Sequence, residues 1–197
     1  MKAKKLILFA LIILSVALIL TGCKAAGNPK VQVEMENGDT FVIELYPEYA
    51  PKTVDNFVKL VNDGFYDGLT FHRIVDNFMA QGGGFTPPGI NGEKKESAAI
   101  TGEFANNGYT ANTLKHTKGV ISMARTNDMN SASSEFFIML GTSAFLDGNY
   151  AAFGKVIEGM EVIDKLQEVE RTMGFAVDDT PSIPVEPVII KKMTVIK

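Results

Sequence analysis

The sequence predicts a mostly β domain, a closed barrel of short strands whose ends two helices can cap. Three observations predict it. Short apolar-polar runs recur through Lys30 to Lys197, only two stretches change to a helical period, and no repeat or compositional break marks a second domain.

Taken in order, Val31, Val33 and Met35 alternate with polar residues, as do Phe41, Ile43 and Leu45, on either side of Asn37-Gly38. Asn-Gly between two alternating runs signals a hairpin, because both residues tolerate the positive φ of a tight turn. In APKTVDNFVKLVNDG the period changes. Val54, Phe57, Val58 and Val61 share one helical face, Pro51 suits the first turn, and Gly64 closes the end. A second helix is expected over Met160 to Val169, with Val162, Ile163 and Leu166 inward. Short strands are expected at Leu69–Val75, Phe78–Gln81, Gly119–Ala124, Glu135–Leu140 and Ala151–Val156, and a last one at Val188–Ile196. The connection from Gly82 to Gly119 is rich in Gly, Asn and Pro and long for a loop, which marks it as functional or disordered.

The chain has 197 residues, 46% of them apolar, with one Cys and no Trp. Its start is a targeting segment: MKAKK supplies positive charge, and the run Leu6–Leu20 is broken only by Ser15. That run suits a signal peptide and is short for a spanning helix. It ends in LTGC, Leu20 to Cys23, which resembles the lipobox of bacterial lipoproteins. The resemblance implies cleavage after Gly22 and a diacylglyceryl thioether on Cys23. Residues 1–22 are then the signal peptide, 23–29 a short tether, and 30–197 the folded domain, held at an extracytoplasmic membrane surface by two or more acyl chains. Lipidation consumes the only thiol, so no disulfide forms despite the oxidising compartment. Cleavage also removes Lys2, Lys4 and Lys5, leaving 16 basic against 23 acidic residues, a net charge of −7. An acidic domain without basic runs is no nucleic-acid binder.

Several chemistries fail on residue inventory. The domain has two His, His72 and His116, and no available Cys for a metal, and its acidic residues lack calcium-loop spacing. A serine nucleophile needs a partner base; no Gly-x-Ser-x-Gly elbow occurs, and each His is expected to stand alone as a structural residue. Gly82-Gly83-Gly84 is not followed by the Lys-Ser/Thr of a phosphate loop and is expected to serve close backbone packing. What remains is an apolar pocket with one fixed cation, needing neither metal nor cofactor. Arg73 is a single arginine inside the apolar strand FHRIV, where a hydrophobic wall is expected.

FHRIVDNFMAQGG, LKHTKGVISMAR, SSEFFIML and FLDGNYAAFG resemble, in order, signature segments of the cyclophilin family of peptidyl-prolyl cis–trans isomerases. The resemblance implies an eight-stranded antiparallel barrel capped by two helices, a monomer with no cofactor. It places the catalytic arginine at Arg73 and the proline pocket at Phe78, Met79, Gln81, Phe137 and Leu146. Ala124, Arg125 and Thr126 fall where the family pairs with the substrate backbone. Four positions depart from the family pattern. Phe145 stands in place of a common Trp, Tyr150 of a His, Arg125 of an Asn and Glu135 of a Gln. All four border the substrate, and the missing indole donor at Phe145 implies weak cyclosporin binding.

Strand parity puts Phe71, Arg73 and Val75 on one face and His72 and Ile74 on the other. It also puts Glu135 on the face of Phe137, within reach of Arg73. Two roles follow for Glu135: it pairs directly with Arg73, or it accepts a hydrogen bond from the substrate backbone. The second is expected, because a directly paired arginine makes a weak catalyst. The resulting expectation is a lipid-anchored prolyl isomerase that assists the folding of exported, proline-containing polypeptides. A non-catalytic module that only holds proline segments is the alternative on the same fold. A transporter's substrate-binding lipoprotein is a third reading, disfavoured by the short barrel-like domain.

Overall fold

The computed structural model describes residues 27–175 and 177–196. The apolar run Leu6–Leu20 and Cys23 lie outside the described residues. The strands are β1 (Lys30–Met35), β2 (Thr40–Leu45), β3 (Thr70–Val75), β4 (Met79–Gly82), β5 (Val120–Met123), β6 (Phe136–Met139) and β7 (Ala152–Glu158), followed by β8 (Arg171–Thr172), β9 (Ile183–Pro184) and β10 (Val188–Ile196). Eight of them close an antiparallel barrel in the order β1-β10-β3-β4-β6-β5-β7-β2, while β8 and β9 form a separate two-stranded ribbon. The expected closed barrel with two helices is the one observed. The β1–β2 hairpin turns through Gly38 at φ 88°, and its alternating apolar residues all face the core.

Helix α1 (Pro51–Asn62) buries Val54, Phe57, Leu60 and Val61. The Phe57 ring reaches into the barrel, 5.2 Å from Tyr66, 5.6 Å from Phe136 and 5.1 Å from Phe153. Helix α2 (Met160–Lys165) is shorter than expected, because Leu166–Glu168 tighten into a 3₁₀ turn; Val162, Ile163 and Leu166 still point inward. The long connection after β4 is ordered by contacts far from it in sequence. Ala50 leaves the start of α1 without a side-chain cap, and Glu103 supplies one from that connection. Its carboxylate accepts from the main-chain N–H of Lys52 (3.1 Å) and Thr53 (2.8 Å) and from the Thr53 hydroxyl (2.8 Å). A buried negative charge therefore meets orphaned donors at the positive end of a helix.

Alternation sorts the barrel side chains into an inner core and an outer apolar layer. Ala80, Ile121, Met123, Phe136 and Ile138 face inward; Met79, Val120, Phe137 and Met139 pack outside with Leu146 and Ala152. At β3 the parity expectation fails. Phe71 and Ile74 both lie in the inner core, and Arg73 faces out. The cause is a bulge: β3 advances from Phe71 to Arg73 while β4 steps only from Gly82 to Gln81. The extra residue re-aims the chain, so both apolar neighbours stay inside while the arginine leaves the core. The glycine run after β4 serves close packing, as expected. Gly83 sits at φ 83°, and a side chain on Gly84 would come within 2.6 Å of Glu135 Cγ.

Candidate active site

Arg73, Gln81, Phe137 and Ser122 stand opposite one another on β3, β4, β6 and β5, a row across the outer face of the barrel. The row borders a cleft of about 140 Å³. Met79, Phe137 and Leu146 form its buried apolar floor, with Phe78, Ala124, Arg125 and Tyr150 around it and Arg73 and Gln81 at one side. All nine of these residues were named from the sequence. Phe145 is 69% exposed and leans on Phe78 at 5.7 Å, so it sits on the rim rather than in the cleft. Thr126 is also outside it, its main-chain N–H held by the Ser131 hydroxyl at 2.9 Å. Between them, Ala124 donates to Glu135 O, whereas the main-chain N–H and C=O of Arg125 make no hydrogen bond among the described residues. That one peptide edge is available to an extended chain. The Arg125 side chain is fixed by two bonds to Asn149 O (3.0 and 2.9 Å) and lies 4.6 Å over the Tyr150 ring, so it braces a wall of the cleft.

The expectation that Arg73 has no direct carboxylate partner is corrected: the arginine is paired. Its ion-pair partner is Asp178, not Glu135. Asp178 Oδ2 accepts from Arg73 Nε at 2.8 Å, and Oδ1 accepts from Nη2. Glu135 reaches the arginine only through Gln81: Nη1 donates to Gln81 Oε1 at 3.3 Å, and Gln81 Nε2 donates to Glu135 Oε2 at 2.8 Å. The hydrogen bond from Arg73 holds the Asp178 carboxyl below the usual range, and burial pushes that of Glu135 up. Glu135 borders a second cleft of about 300 Å³, on the far side of Arg73 and Gln81, together with His72, Phe85, Lys94, Phe175 and Val177. Asp178 and Phe175, whose ring centre is 5.5 Å from the guanidinium carbon, escaped the sequence reading. They lie about a hundred residues downstream in a loop without periodicity, where one acidic residue looks like another.

Neither histidine stands alone. His116 Nδ1 is 3.0 Å from Asp147 Oδ1, its Nε2 is 3.0 Å from Ser122 Oγ, and its ring stacks on Phe137 at 6.0 Å. Burial lowers the His116 pKa; burial also opposes ionisation of Asp147, but hydrogen bonds from His116 and Lys115, with the Lys115 charge, together hold that carboxyl low. The neutral ring therefore donates from Nδ1 to the carboxylate and accepts the Ser122 hydroxyl at Nε2. Despite its serine–histidine–carboxylate order, this chain is no acyl-transfer site, because Ser122 is wholly buried and has no path to a carbonyl. It braces Phe137 from behind.

His72 is buried 3.5 Å from Glu135 Oε2, with burial and the Arg73 charge pushing its pKa down to about 4. It is neutral at pH 7, so this contact is not an ion pair. Between pH 6.5 and about 4 the unfolded chain binds a proton here that the folded chain refuses. Its contribution is thus fully present above pH 6.5 and is lost, by about 3 kcal/mol at 1.36 kcal/mol per pH unit, as pH falls to 4. His72→Phe keeps a ring against Phe85 and removes this titration. Urea unfolding near pH 7 and pH 4.5 should show wild type losing about 2–3 kcal/mol more than the variant; equal losses would contradict the assignment.

The chain matches the family model described as cyclophilin type peptidyl-prolyl cis-trans isomerase/CLD over residues 30–195. It is 41% identical over 160 residues to peptidyl-prolyl cis-trans isomerase A of Dickeya dadantii, covering 79% of this chain and 78% of that one. Peptidyl-prolyl cis-trans isomerase B of Escherichia coli is 38% identical over 173 residues, covering 84% of this chain and 98% of the relative. A crystal structure of a Cryptosporidium parvum cyclophilin type isomerase superimposes with a TM-score of 0.67 at 26% identity, covering 86% and 98% of the two chains. The same parasite protein crystallised in the presence of the dipeptide Ala-Pro gives a TM-score of 0.66 at 26% identity, covering 85% and 99%. Barrel order, the outward arginine beside an apolar cleft, and nearly full-length similarity agree: this chain belongs to the cyclophilin-type peptidyl-prolyl cis–trans isomerase family.

Proposed function

We propose that the protein isomerises X–Pro bonds of exported polypeptides at the membrane surface, with Arg73 as the catalytic donor. A peptide bond resists rotation by about 18–20 kcal/mol of lost amide resonance. Twisting the bond localises the lone pair on the prolyl nitrogen, which becomes a better hydrogen-bond acceptor than in either planar form. A donor fixed at that nitrogen therefore binds the twisted state more tightly than cis or trans, the condition for catalysis. The proline ring enters the cleft floored by Met79, Phe137 and Leu146, and the substrate backbone pairs with the free peptide edge at Arg125. Shortening an event of roughly 100 s to about 1 ms requires about 7 kcal/mol. A charged donor beside a water-poor apolar cleft, together with ring binding, supplies effects of that size. No bond breaks, so no nucleophile is required.

The observation that carries this proposal is the side-on fixation of Arg73, which keeps donors available at the cleft. A protease-coupled assay of residues 24–197 on a short X–Pro peptide tests it, since only the trans peptide is cut. Catalysis is the expected result; binding without acceleration would favour the proline-holding alternative. The LTGC motif supports the location. Cys23→Ser is expected to abolish labelling by a fatty-acid analogue and leave the precursor uncleaved, whereas persistent labelling would exclude Cys23 as the acceptor.

A further inference from the structure

We infer that Asp178 is a positioning residue for the isomerisation, a carboxylate clamp that sets the plane of the Arg73 guanidinium; this rests on Arg73 being the catalytic donor. A guanidinium has five N–H donors. Asp178 takes the Nε donor and one on Nη2, Gln81 takes one on Nη1, and two remain, one on each terminal nitrogen. A flexible four-torsion side chain would otherwise sweep these donors across the cleft mouth. The clamp is itself buried and tied to the barrel. The Asp178 side chain is only 3% exposed, and the β8–β9 ribbon closes the base of its loop. Ser182 O accepts from Ile74 N at 2.8 Å, joining that loop to the residue beside Arg73. Phe175 covers the guanidinium from the same loop. The carboxylate also offsets the arginine charge, but the twisted prolyl nitrogen is a neutral acceptor whose bond depends on the aim of one N–H. Orientation therefore outweighs lost field, and Asp178 raises the rate.

The test measures kcat and KM of Asp178→Ala, Asp178→Asn and, as an exposed neighbour, Asp179→Asn. Misplacement of a reacting group by about 1 Å costs up to about 100-fold, so Asp178→Ala should lose about 10- to 100-fold in kcat, with KM within about twofold. Asp178→Asn keeps one acceptor oxygen and should lose less, formate should restore part of the alanine variant's activity, and Asp179→Asn should match wild type. Asp178→Ala added to Arg73→Ala should cost nothing further, because a positioning residue acts through the group it positions. In Asp178→Asn the Arg73 Nε proton resonance should move and exchange faster with water. Unchanged or increased activity in the Asp178 variants, with Arg73→Ala inactive, would overturn the clamp while leaving the arginine mechanism standing. Full activity in Arg73→Ala would overturn both. Should the alanine variant fail to fold, the near-isosteric asparagine variant decides by its rate and the Nε resonance.

Discussion

Arg73→Ala is expected to lower kcat/KM by about two to three decades, the scale of removing one preorganised donor from a developing charge, or about 3–4 kcal/mol. The substitution has a second consequence. It leaves the Asp178 carboxylate, 3% exposed, without its cation. Breaking a buried pair from one side costs about 3–5 kcal/mol, at the lower end here because Arg73 is itself 17% exposed. The unfolding midpoint should therefore fall along with the rate. Arg73→Ala combined with Asp178→Asn should recover much of the stability and none of the activity. Arg73→Lys should recover little of either, because a point charge cannot place one pair of donors on Asp178 and another at the cleft. Rates by the protease-coupled assay and midpoints by urea titration separate the two effects. Full activity in the alanine variant would remove Arg73 from the mechanism.

The second large effect lies at Glu103. Glu103→Ala is expected to destabilise the fold by about 3 kcal/mol, since hydrogen bonds to a charged group contribute about 1.5–3 kcal/mol and several donors lose their partner together. Those donors, Lys52 N, Thr53 N and Thr53 Oγ, sit where α1 has no other cap. Glu103→Gln keeps an acceptor oxygen and should cost roughly half as much. Because Phe104 follows directly and lies 5.1 Å from the Arg125 guanidinium carbon, the alanine variant should also loosen the Arg125–Tyr150 wall and raise KM. A loss below about 1 kcal/mol would mean that water replaces the carboxylate at the helix start.

Much of this architecture is legible in the sequence because it depends on local period. Alternation in Val31–Val33–Met35 specifies the hairpin strands, and the helical spacing of Val54, Phe57 and Val61 specifies the face of α1. The cleft was legible through its motifs, which supply strands β3 to β6 and the segment after β6 that carries Leu146 and Tyr150. What was not legible are features that local period cannot encode. The bulge at β3 is a register shift between two strands, so counting along one strand assigned Phe71 to the wrong face. Glu103 caps a helix fifty residues away, and Asp178 meets Arg73 across 105 residues. The direct pairing of Arg73 with an acid was missed for the same reason: Glu135 was expected to serve the substrate backbone and leave the arginine unpaired, yet Arg73 is paired with Asp178. Nearness in the barrel was read correctly, but the competing acid came from a loop closed by a two-residue ribbon, too short to show any pattern.

Two-dimensional exchange NMR on a short Ala–Pro peptide, with residues 24–197 in small molar ratio, tests the central claim most directly, because it observes cis and trans without a coupling protease. Uncatalysed exchange takes tens to hundreds of seconds and gives no cross-peaks on the experiment's time scale. The account predicts cross-peaks between the cis and trans proline signals with wild type, an unchanged cis:trans ratio, and no cross-peaks with Arg73→Ala. Shifts of Phe137 and Met79 resonances on peptide addition, without any exchange between the peptide's two forms, would contradict it and leave a protein that holds proline segments but does not turn them.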